Sequence, residues 1–506
     1  MERAASDVLH GQLELEPPQE VRVPPISPER LREVLDPADW REFEKSIARA
    51  NQVFEGHVIW MVSSTAAGGG VAEMLRSFLA YTRGVGVNVR WLVMTGTPEF
   101  FQITKRIHNL LHGSPGDGGD LGEAEWRLYE AVCAANAEHV AALVRPSDIV
   151  LLHDPQTAGM VPRLKQTGGP VVWRSHIGAE HPNELVQHAW QFLEESLRPA
   201  DACVFSPHAY IPEWANAVRT EIIQPSIDAF SPKNQELDAE TVRGVLTHVG
   251  LAVDGAGSPP VYTRQDGTPG RVDRLCEVLS TGPPPRLDDP LVVQVSRWDR
   301  LKDHMGVMLG FAEHVAPATD AHLILAGPTV HSLADDPEAA EVLDEVVSAW
   351  QDLPHARRSR VHLSCLPMAD FEENATIVNA LQRHATVVVQ KSLQEGFGLT
   401  VAEAMWKSRP VVASAVGGIQ DQIEDGVTGF LLEDPTDLDA FGERVLRLLQ
   451  DPDLAAEIGA RARERVRHHF LANRHALQYI ALFASIIEHG ARRPAKTQSQ
   501  VRASRA

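Results

Sequence analysis

Two glutamates flank a glycine-containing turn late in the chain. Glu395 and Glu403 are separated by seven residues, and the turn at 396–398 reads Gly-Phe-Gly. The apolar run at 387–389 favours a buried parallel strand before the turn, and residues 402–406 favour a helix after it. Backbone N–H groups at such a helix N-terminus bind anions such as a diphosphate. One carboxylate could then accept hydrogen bonds from sugar hydroxyls and the other could hold a ribose, although helix capping alone is the alternative.

Two cations follow another strand-like run at 291–295. Arg297 comes two residues after the end of this run, and Lys302 comes five residues later. A guanidinium grips two phosphate oxygens in a fork and an ammonium acts as a point charge, so the pair is suited to neutralising a departing diphosphate. Asp299 and Asp303 lie beside them, so two ordinary surface ion pairs are the alternative interpretation.

Three consecutive glycines at 68–70 follow the first strand-like run and precede an apolar helix. Glycines let the backbone approach a ligand closely, and sites in doubly wound sheets lie at the carboxyl ends of strands. The run is neither a GxGxxG fingerprint nor a phosphate-binding loop with Gly-Lys-Ser/Thr, which argues against an NAD enzyme and a kinase. A tight turn is the alternative to contact with a sugar or phosphate.

Strand-like runs alternate with helical patterns, which predicts parallel sheets. The runs span 58–63, 89–94, 149–152, 171–174, 203–206, 291–295, 323–326, 387–390 and 411–414. Irregular sequence rich in proline and glycine at 250–290 separates two series. The predicted fold is therefore α/β, with two doubly wound Rossmann-like domains facing each other across a cleft.

The predicted domain boundaries follow from these series. They are a partly flexible N-terminal extension at 1–40, an N-terminal acceptor-side domain at 41–230, a linker and insertion at 231–290, a C-terminal nucleotide-sugar-binding domain at 291–470, a C-terminal helix at 471–491 that crosses back to the first domain, and a flexible tail at 492–506. Within the linker, the segment at 253–285 is interpreted as a flexible or disordered insertion without recognisable chemistry.

Composition excludes several classes of function. The 506 residues carry a formal net charge of -21, which repels nucleic acid and anionic membranes. No apolar run approaches the roughly 20 residues that cross a bilayer, and no apolar signal region follows the first residues, so a cytoplasmic protein is predicted. The four cysteines form no CxxC pair, which argues against disulfides and a cysteine-type zinc site. His108 and His112 have a metal-ligand spacing without an HExxH motif, so no catalytic metal is expected.

Together, the glycine run, the two cations and the two glutamates resemble the retaining GT-B glycosyltransferases of the GT4 type. Further segments resemble the trehalose glycosyltransferring synthases of that group. These segments are 68–73, 99–105 with His108-Asn109, 153–156, 173–177 and 224–228. The resemblance covers nearly the whole chain. The longer N-terminus and the 253–285 insertion depart from it without touching a motif.

The resemblance implies a role for each donor-side residue. Arg297 and Lys302 would stabilise the departing nucleoside diphosphate, Glu403 would hold the ribose, and Glu395 would bind the donor glucose hydroxyls. His176 would reach the far side of that glucose ring. Donor contacts are also implied for Gly69, Gly70, Gly396, Phe397, Gly398 and Leu399.

On the acceptor side, the resemblance implies that Asp154 orients the acceptor sugar, and a cap at the strand end is the alternative. Lys105, His108 and Asn109 share one helical face, and Lys105 and Asn109 would line the acceptor side. No enzymic nucleophile is implied. The acceptor would attack on the face from which the diphosphate leaves, and catalysis would rest on positioning and electrostatics.

The function that the resemblance implies is transfer of glucose from ADP- or UDP-glucose to glucose, giving trehalose with retention. The alternatives are a retaining trehalose phosphorylase, which uses orthophosphate, and another GT4-type hexosyltransferase with a different acceptor. A catalytically inactive sugar-binding protein is disfavoured because every expected charged residue is present. The expected partners are the nucleotide-sugar donor and the glucose acceptor, with no cofactor, essential metal, nucleic acid or membrane, and a homodimer is left open.

Overall fold

The computed structural model describes residues 15–66, 70–253, 260–330 and 338–491. The chain forms two compact units. The first contains the residues up to Ile223 together with those from His475 onwards, and the second is Gln224–Arg474.

Among the described residues, the first unit contains one seven-stranded sheet. Its strands are β1 (Gln19–Val21), β2 (Ile59–Ser63), β3 (Val89–Val93), β4 (Ile149–His153), β5 (Val171–Arg174), β6 (Ala202–Phe205) and β7 (Thr220–Ile222). Their order across the sheet is β1-β3-β2-β4-β5-β6-β7. Only β1 with β3 is antiparallel among these pairs, so the N-terminal extension supplies an edge strand to an otherwise parallel sheet.

Helices connect the strands of the first unit. They are α1 (Pro37–Val53), α2 (Gly70–Gly84), α3 (Pro98–Leu111), α4 (Glu123–Ala141), α5 (Pro155–Ala158), α6 (Val161–Leu164) and α7 (Glu184–Leu197), with 3-10 turns at Pro28–Glu33, Lys165–Thr167, His208–Tyr210 and Glu213–Ala217. In α3, Thr97 caps the helix by accepting the Phe100 N–H, and Pro98 takes the first helical position. Phe100, Ile103 and Ile107 then recur at helical spacing and are buried.

The second unit contains the remaining strands. They are β8 (Val261–Thr263), β9 (Pro269–Arg271), β10 (Glu277–Leu279), β11 (Leu291–Val295), β12 (His322–Pro328), β13 (Val361–Leu366), β14 (Val387–Gln390), β15 (Val411–Ser414) and β16 (Phe430–Leu432). Seven of them form a sheet in the order β10-β13-β12-β11-β14-β15-β16, and β8 pairs with β9. Within the seven-stranded sheet, β10 with β13 is antiparallel and the other pairs are parallel.

The helices that follow α7 complete the chain. They are α8 (Ala239–His248), α9 (His304–Gly310), α10 (Glu338–Asp352), α11 (His355–Arg358), α12 (Phe371–His384), α13 (Leu399–Trp406), α14 (Ile419–Gln422), α15 (Leu438–Gln450), α16 (Pro452–His469) and α17 (Ala472–Ala491), with a 3-10 turn at Arg300–Lys302 and a π-turn at Phe311–Val315. α17 packs into the first unit. Its Tyr479, Leu482, Phe483 and Ile486 are buried in one apolar cluster with Leu79 of α2.

The interpretation of 253–285 as a flexible or disordered insertion is wrong for residues 260–285. β8 and β9 form a hairpin there, and β10 joins the edge of the sheet. Arg264 donates to Asp370 at 2.8 Å and to Glu372 at 3.0 Å, at the start of α12. The buried Glu373 accepts two backbone N–H groups of the segment at 2.7 Å. The segment is held by long-range pairs with α12, which local composition does not encode.

The alternation predicted from the sequence is confirmed in both sheets. β5, β11, β14 and β15 have the predicted bounds, and β2, β3, β4, β6 and β12 differ from the prediction by one or two residues at an end. All four cysteines are free. Among the described residues, no helix has both the length and the apolar character that spanning a membrane requires.

Candidate active site

The donor-side residues of the second unit follow the carboxyl ends of neighbouring strands. Arg297 and Lys302 come after β11, and Glu395 comes after β14, which pairs with β11. Since parallel strands end at one edge of the sheet, the loops that carry these residues lie close together. This is the edge at which doubly wound sheets bind ligands.

Lys302 and Glu395 are in direct contact although they lie far apart in the sequence. Lys302 Nζ donates to Glu395 Oε2 at 2.7 Å, and Ser392 Oγ donates to the same oxygen at 3.4 Å. The two side chains are only 15% and 13% exposed, so water screens their attraction weakly. The 3-10 turn of Lys302 is fixed by Asp299, whose Oδ1 accepts the Leu301 N–H at 2.9 Å.

Arg297 is more exposed and donates to Asp299 Oδ2 at 3.1 Å. The sequence left open that Asp299 and Asp303 would form ordinary ion pairs with the two cations. Asp299 does pair with Arg297, whereas Asp303 pairs with the fully buried Lys391. Lys302 is therefore available to a different carboxylate, that of Glu395.

The Gly-Phe-Gly turn is held by hydrogen bonds from residues 418 and 422 and leads directly into α13. Gly398 has φ +81°, a left-handed conformation that favours glycine, and it precedes the first helical residue, Leu399. Gly396 O accepts the Gly418 N–H at 3.0 Å, and Phe397 O accepts a hydrogen bond from the buried Gln422 amide. The carbonyl groups of the turn are thus occupied, while the N-terminus of α13 retains its anion-binding character.

Glu403 lies within α13 and is 3% exposed. Lys233 Nζ lies 3.7 Å from Glu403 Oε1. Lys407 Nζ donates to Glu403 O at 3.1 Å, to Gln382 Oε1 at 2.8 Å and to Asn234 Oδ1 at 3.0 Å. Burial holds the pKa of Lys407 well below its usual value. The sequence analysis missed both lysines. The i, i+4 spacing of Glu403 and Lys407 could have indicated Lys407, whereas no sequence pattern indicated Lys233.

In the first unit, Asp154 follows β4 with φ +64°, which is unusual for a residue other than glycine. Its Oδ1 accepts the His176 N–H at 2.8 Å, and its side chain makes no capping hydrogen bond to α5. The residue is partly buried, and burial of the carboxyl group raises its pKa to about 7 against the opposing effects of the His176 N–H and the Arg174 charge. The carboxylate therefore does not cap α5, but it does bind the backbone just beyond the end of β5, as the strand-end cap left open by the sequence would.

His176 stacks on His153, with the ring planes 14° apart. Arg174 Nε donates to His176 Nδ1 at 3.2 Å, and His176 Nε2 lies 3.2 Å from His153 Nδ1. Burial lowers the pKa of His153 to about 3 and the pKa of His176 well below its usual value, so both rings are neutral at pH 7. The buried Nε2 of His153 has no hydrogen-bond partner among the described residues. The sequence analysis did not select His153, although it precedes Asp154.

The guanidinium group of Arg174 links His176 to other parts of the first unit. It is fully buried and donates to Tyr479 Oη at 2.5 Å and to Ile223 O at 2.9 Å. Tyr479 lies on α17, so the last helix of the chain fixes the guanidinium that positions His176. No local sequence pattern indicated this contact.

Replacing Tyr479 with phenylalanine tests that support. The variant leaves a donor of a buried guanidinium without its acceptor, which costs about 1.5 kcal/mol and lowers the thermal midpoint by roughly 3–6 °C. Tyr262→Phe is the matched control, because the buried hydroxyl of Tyr262 has no hydrogen-bond partner within the described part of the chain. Equal shifts in the two variants would show that the Arg174 contact contributes nothing specific.

The remaining predicted residues are less closely connected. Lys105 and Asn109 are partly buried on α3, and the Asn109 side chain packs against Gly116, where a Cβ would approach Asn109 Nδ2 to 2.7 Å. Neither residue forms a hydrogen bond or ion pair with Asp154 among the described residues. Gly70 is exposed at the start of α2, and Gly69 lies outside the described residues.

Comparison with known proteins identifies the family. A family model described as "Trehalose synthase, N-terminal domain" matches residues 61–212, and one described as "Glycosyl transferases group 1" matches residues 282–465. The trehalose synthase of Thermococcus litoralis is 34% identical over 428 residues, which are 84% of this chain and 89% of that protein. The chain belongs to the trehalose synthase family of GT4 glycosyltransferases.

Proteins of lower sequence identity are also similar to this chain, in sequence or in fold. A trehalose phosphorylase of Pleurotus pulmonarius is 25% identical over 486 residues, 90% of this chain and 61% of that protein. An α,α-trehalose-phosphate synthase (UDP-forming) from Burkholderia xenovorans, crystallised with glucose-6-phosphate, is 14% identical. It matches with a TM-score of 0.64 over 85% of this chain and 100% of that one. The chain therefore has the GT-B fold.

Proposed function

We propose that this member of the trehalose synthase family transfers glucose from a nucleoside diphosphate glucose to free glucose, forming α,α-trehalose with retention. The contact of Lys302 with Glu395 is the observation that carries the proposal. It places a cation suited to a phosphate beside a carboxylate suited to sugar hydroxyls, at the edge of the sheet where α13 begins.

On the donor side, each group has one task. Lys302 and Arg297 neutralise the charge that develops on the departing diphosphate, with Arg297 exchanging Asp299 for phosphate oxygens. Glu395 exchanges Lys302 for the glucose hydroxyls, and Glu403 accepts hydrogen bonds from the ribose. Close backbone contact with the donor is assigned to Gly69, Gly70, Gly396, Phe397, Gly398 and Leu399.

On the acceptor side, Asp154 orients the attacking hydroxyl of glucose, and His176 contacts the donor ring. Lys105 and Asn109 line the acceptor side. As the bond from the anomeric carbon to the phosphate oxygen breaks, the acceptor hydroxyl forms the new bond on the same face. Its proton passes to the departing phosphate oxygen, so no side chain need act as a base, and because the acceptor attacks the anomeric carbon itself, none need act as a nucleophile.

Incubation with UDP-glucose or ADP-glucose and glucose tests the reaction directly. Trehalose and a nucleoside diphosphate are the expected products, and proton NMR reports the configuration at both anomeric carbons. Formation of trehalose only from glucose 1-phosphate, with release of orthophosphate, would contradict the proposal and favour the phosphorylase reaction, which the 25% identical relative performs according to its name.

Ligand protection tests the ribose role separately. Free UDP or ADP is expected to raise the thermal midpoint far more than orthophosphate at equal concentration, because stabilisation follows RT ln(1 + [L]/Kd). Glu403→Gln should weaken nucleotide protection, whereas Glu433→Gln, an exposed glutamate of the same unit, should leave it unchanged. Strong protection by orthophosphate with trehalose, and none by a nucleoside diphosphate, would assign the site to a phosphorylase.

A further inference from the structure

A cavity of about 380 Å³ lies in the second unit, away from the donor residues. Its wall includes Leu287, His384 and Arg409, which precede β11, β14 and β15 respectively. Arg297 and Glu395, in contrast, follow the carboxyl ends of β11 and β14. Because these strands are parallel neighbours, the cavity opens at the opposite edge of the same sheet.

Three guanidinium groups line this cavity, and no acidic side chain is among the lining residues. Arg383 is largely buried and already pairs with Glu236 at 2.7 Å. Arg243 is exposed, and no carboxylate within the described residues forms an ion pair with it. Arg409 donates from Nη1 to Ala385 O at 3.1 Å, while its buried Nε has no hydrogen-bond partner among the described residues. The guanidinium groups of Arg243 and Arg409 therefore keep hydrogen-bond donors that carboxylates of the described residues do not use.

The arginine charges also affect two ionisable groups that line the cavity. Burial lowers the pKa of His384, the charges of Arg409 and Arg243 lower it further, and Asp288 opposes them. Burial and the charge of Arg383 likewise lower the pKa of Arg409. The whole chain carries a formal charge of -21, so this local excess of cations runs against the general field of the protein.

We propose that this cavity binds a phosphate-bearing small molecule at a site distinct from the donor site. The phosphate oxygens would accept hydrogen bonds from the exposed fork of Arg243 and from the guanidinium group of Arg409, both of which line the cavity. A cavity of about 380 Å³ also has room for a sugar-sized body beside the phosphate. Leu287 provides an apolar wall for that body. The inference does not depend on which glucosyl donor the enzyme uses.

Isothermal titration with inorganic phosphate and with glucose 6-phosphate tests the site on the full chain. Binding with Kd below about 1 mM is expected for at least one probe. Arg243→Gln should weaken it by about 5- to 20-fold, because one charged fork is lost. Since Arg243 is exposed, this variant should keep the wild-type thermal midpoint, and Arg409→Gln provides the second test of the same site. Tighter binding of glucose 6-phosphate than of inorganic phosphate would show that the sugar body contributes, and equal binding would show that the phosphate suffices.

Two further variants separate this site from the rest of the protein. Lys302→Ala should bind both probes as the wild type does, since Lys302 lies at the other edge of the sheet. Arg461→Gln removes an exposed guanidinium that pairs with Glu457 outside the cavity, and it should also bind normally. The inference is overturned if neither probe binds up to about 10 mM, if Arg243→Gln and Arg409→Gln both bind as tightly as the wild type, or if Lys302→Ala abolishes binding.

Discussion

Replacing Lys302 with alanine is expected to lower kcat by about two to four orders of magnitude while the protein stays folded. The ammonium group faces the position from which the diphosphate departs in the proposed reaction, where negative charge grows in the transition state. Because that charge grows only in the transition state, loss of the ammonium group should lower kcat more than it weakens donor binding. The Lys302 side chain is only 15% exposed, so water screens its charge weakly and the effect should be large. Steady-state kinetics with saturating donor and glucose measure this effect.

Arg300→Ala is the matched control for Lys302→Ala. Arg300 lies in the same 3-10 turn, but its guanidinium is 49% exposed and pairs with Glu345 of α10 instead of Glu395. Its removal should change kcat by less than about threefold, as expected for an exposed ion pair. Similar losses in both variants would point to a disturbed turn rather than to a missing transition-state charge. Near-normal turnover of Lys302→Ala would remove Lys302 from the proposed mechanism.

Glu395→Gln examines the other half of the same contact. Glutamine keeps the shape of the side chain but forms weaker hydrogen bonds to the donor hydroxyls, so kcat should fall in this variant too. If only the thermal midpoint changed, Glu395 would serve to hold Lys302 and its turn in place. Because the two residues touch, the double variant should lose less activity than the sum of the single losses in free energy.

The sequence predicted those parts of the fold that depend on local pattern. β11, β14 and β15 are fully buried and each contains two or three valines, so these β-branched runs marked them. The edge strands β1, β7, β10 and β16 were missed because each is three residues long and is defined by its neighbour rather than by its own composition. β13 was missed although it is buried, since His362 and Ser364 interrupt its apolar run.

The same division applies to the candidate site. The turn at 396–398 and the cations after β11 could be recognised because each is a short motif at the end of a strand. Lys407, His153 and the Arg174 contact with Tyr479 could not, since their roles arise from burial and from partners far away in sequence, 305 residues apart in the last case. Motifs therefore indicated the groups that are proposed to contact the substrates, whereas the buried groups that hold them in place required the structure.

Asp154→Asn is expected to remove the pH dependence that Asp154 gives to the stability of the first unit. The pKa of Asp154 rises from 3.8 to about 7 in the folded protein, so the folded state binds a proton that the unfolded state releases between these values. The stabilisation is fully present below pH 4 and is lost as the pH rises through 7. Asparagine can still accept the His176 N–H without carrying a charge. At pH 8 the variant should therefore be more stable than the wild type by about 2–3 kcal/mol, and at pH 4 the two should be similar.

Asp148→Asn is the control of opposite sign. Asp148 immediately precedes β4 and is 1% exposed; burial raises its pKa, but hydrogen bonds from Arg145, the Val58 N–H and Trp60 outweigh this and lower it overall. Its ionised form therefore stabilises the fold above pH 4, and that contribution is lost as the pH falls through the folded pKa. Asp148→Asn should be destabilising at pH 8, and the deficit should shrink towards low pH. Thermal midpoints of the three proteins across this range measure both trends. If the difference between Asp154→Asn and the wild type did not change with pH, the pKa of Asp154 would not be raised in the folded protein.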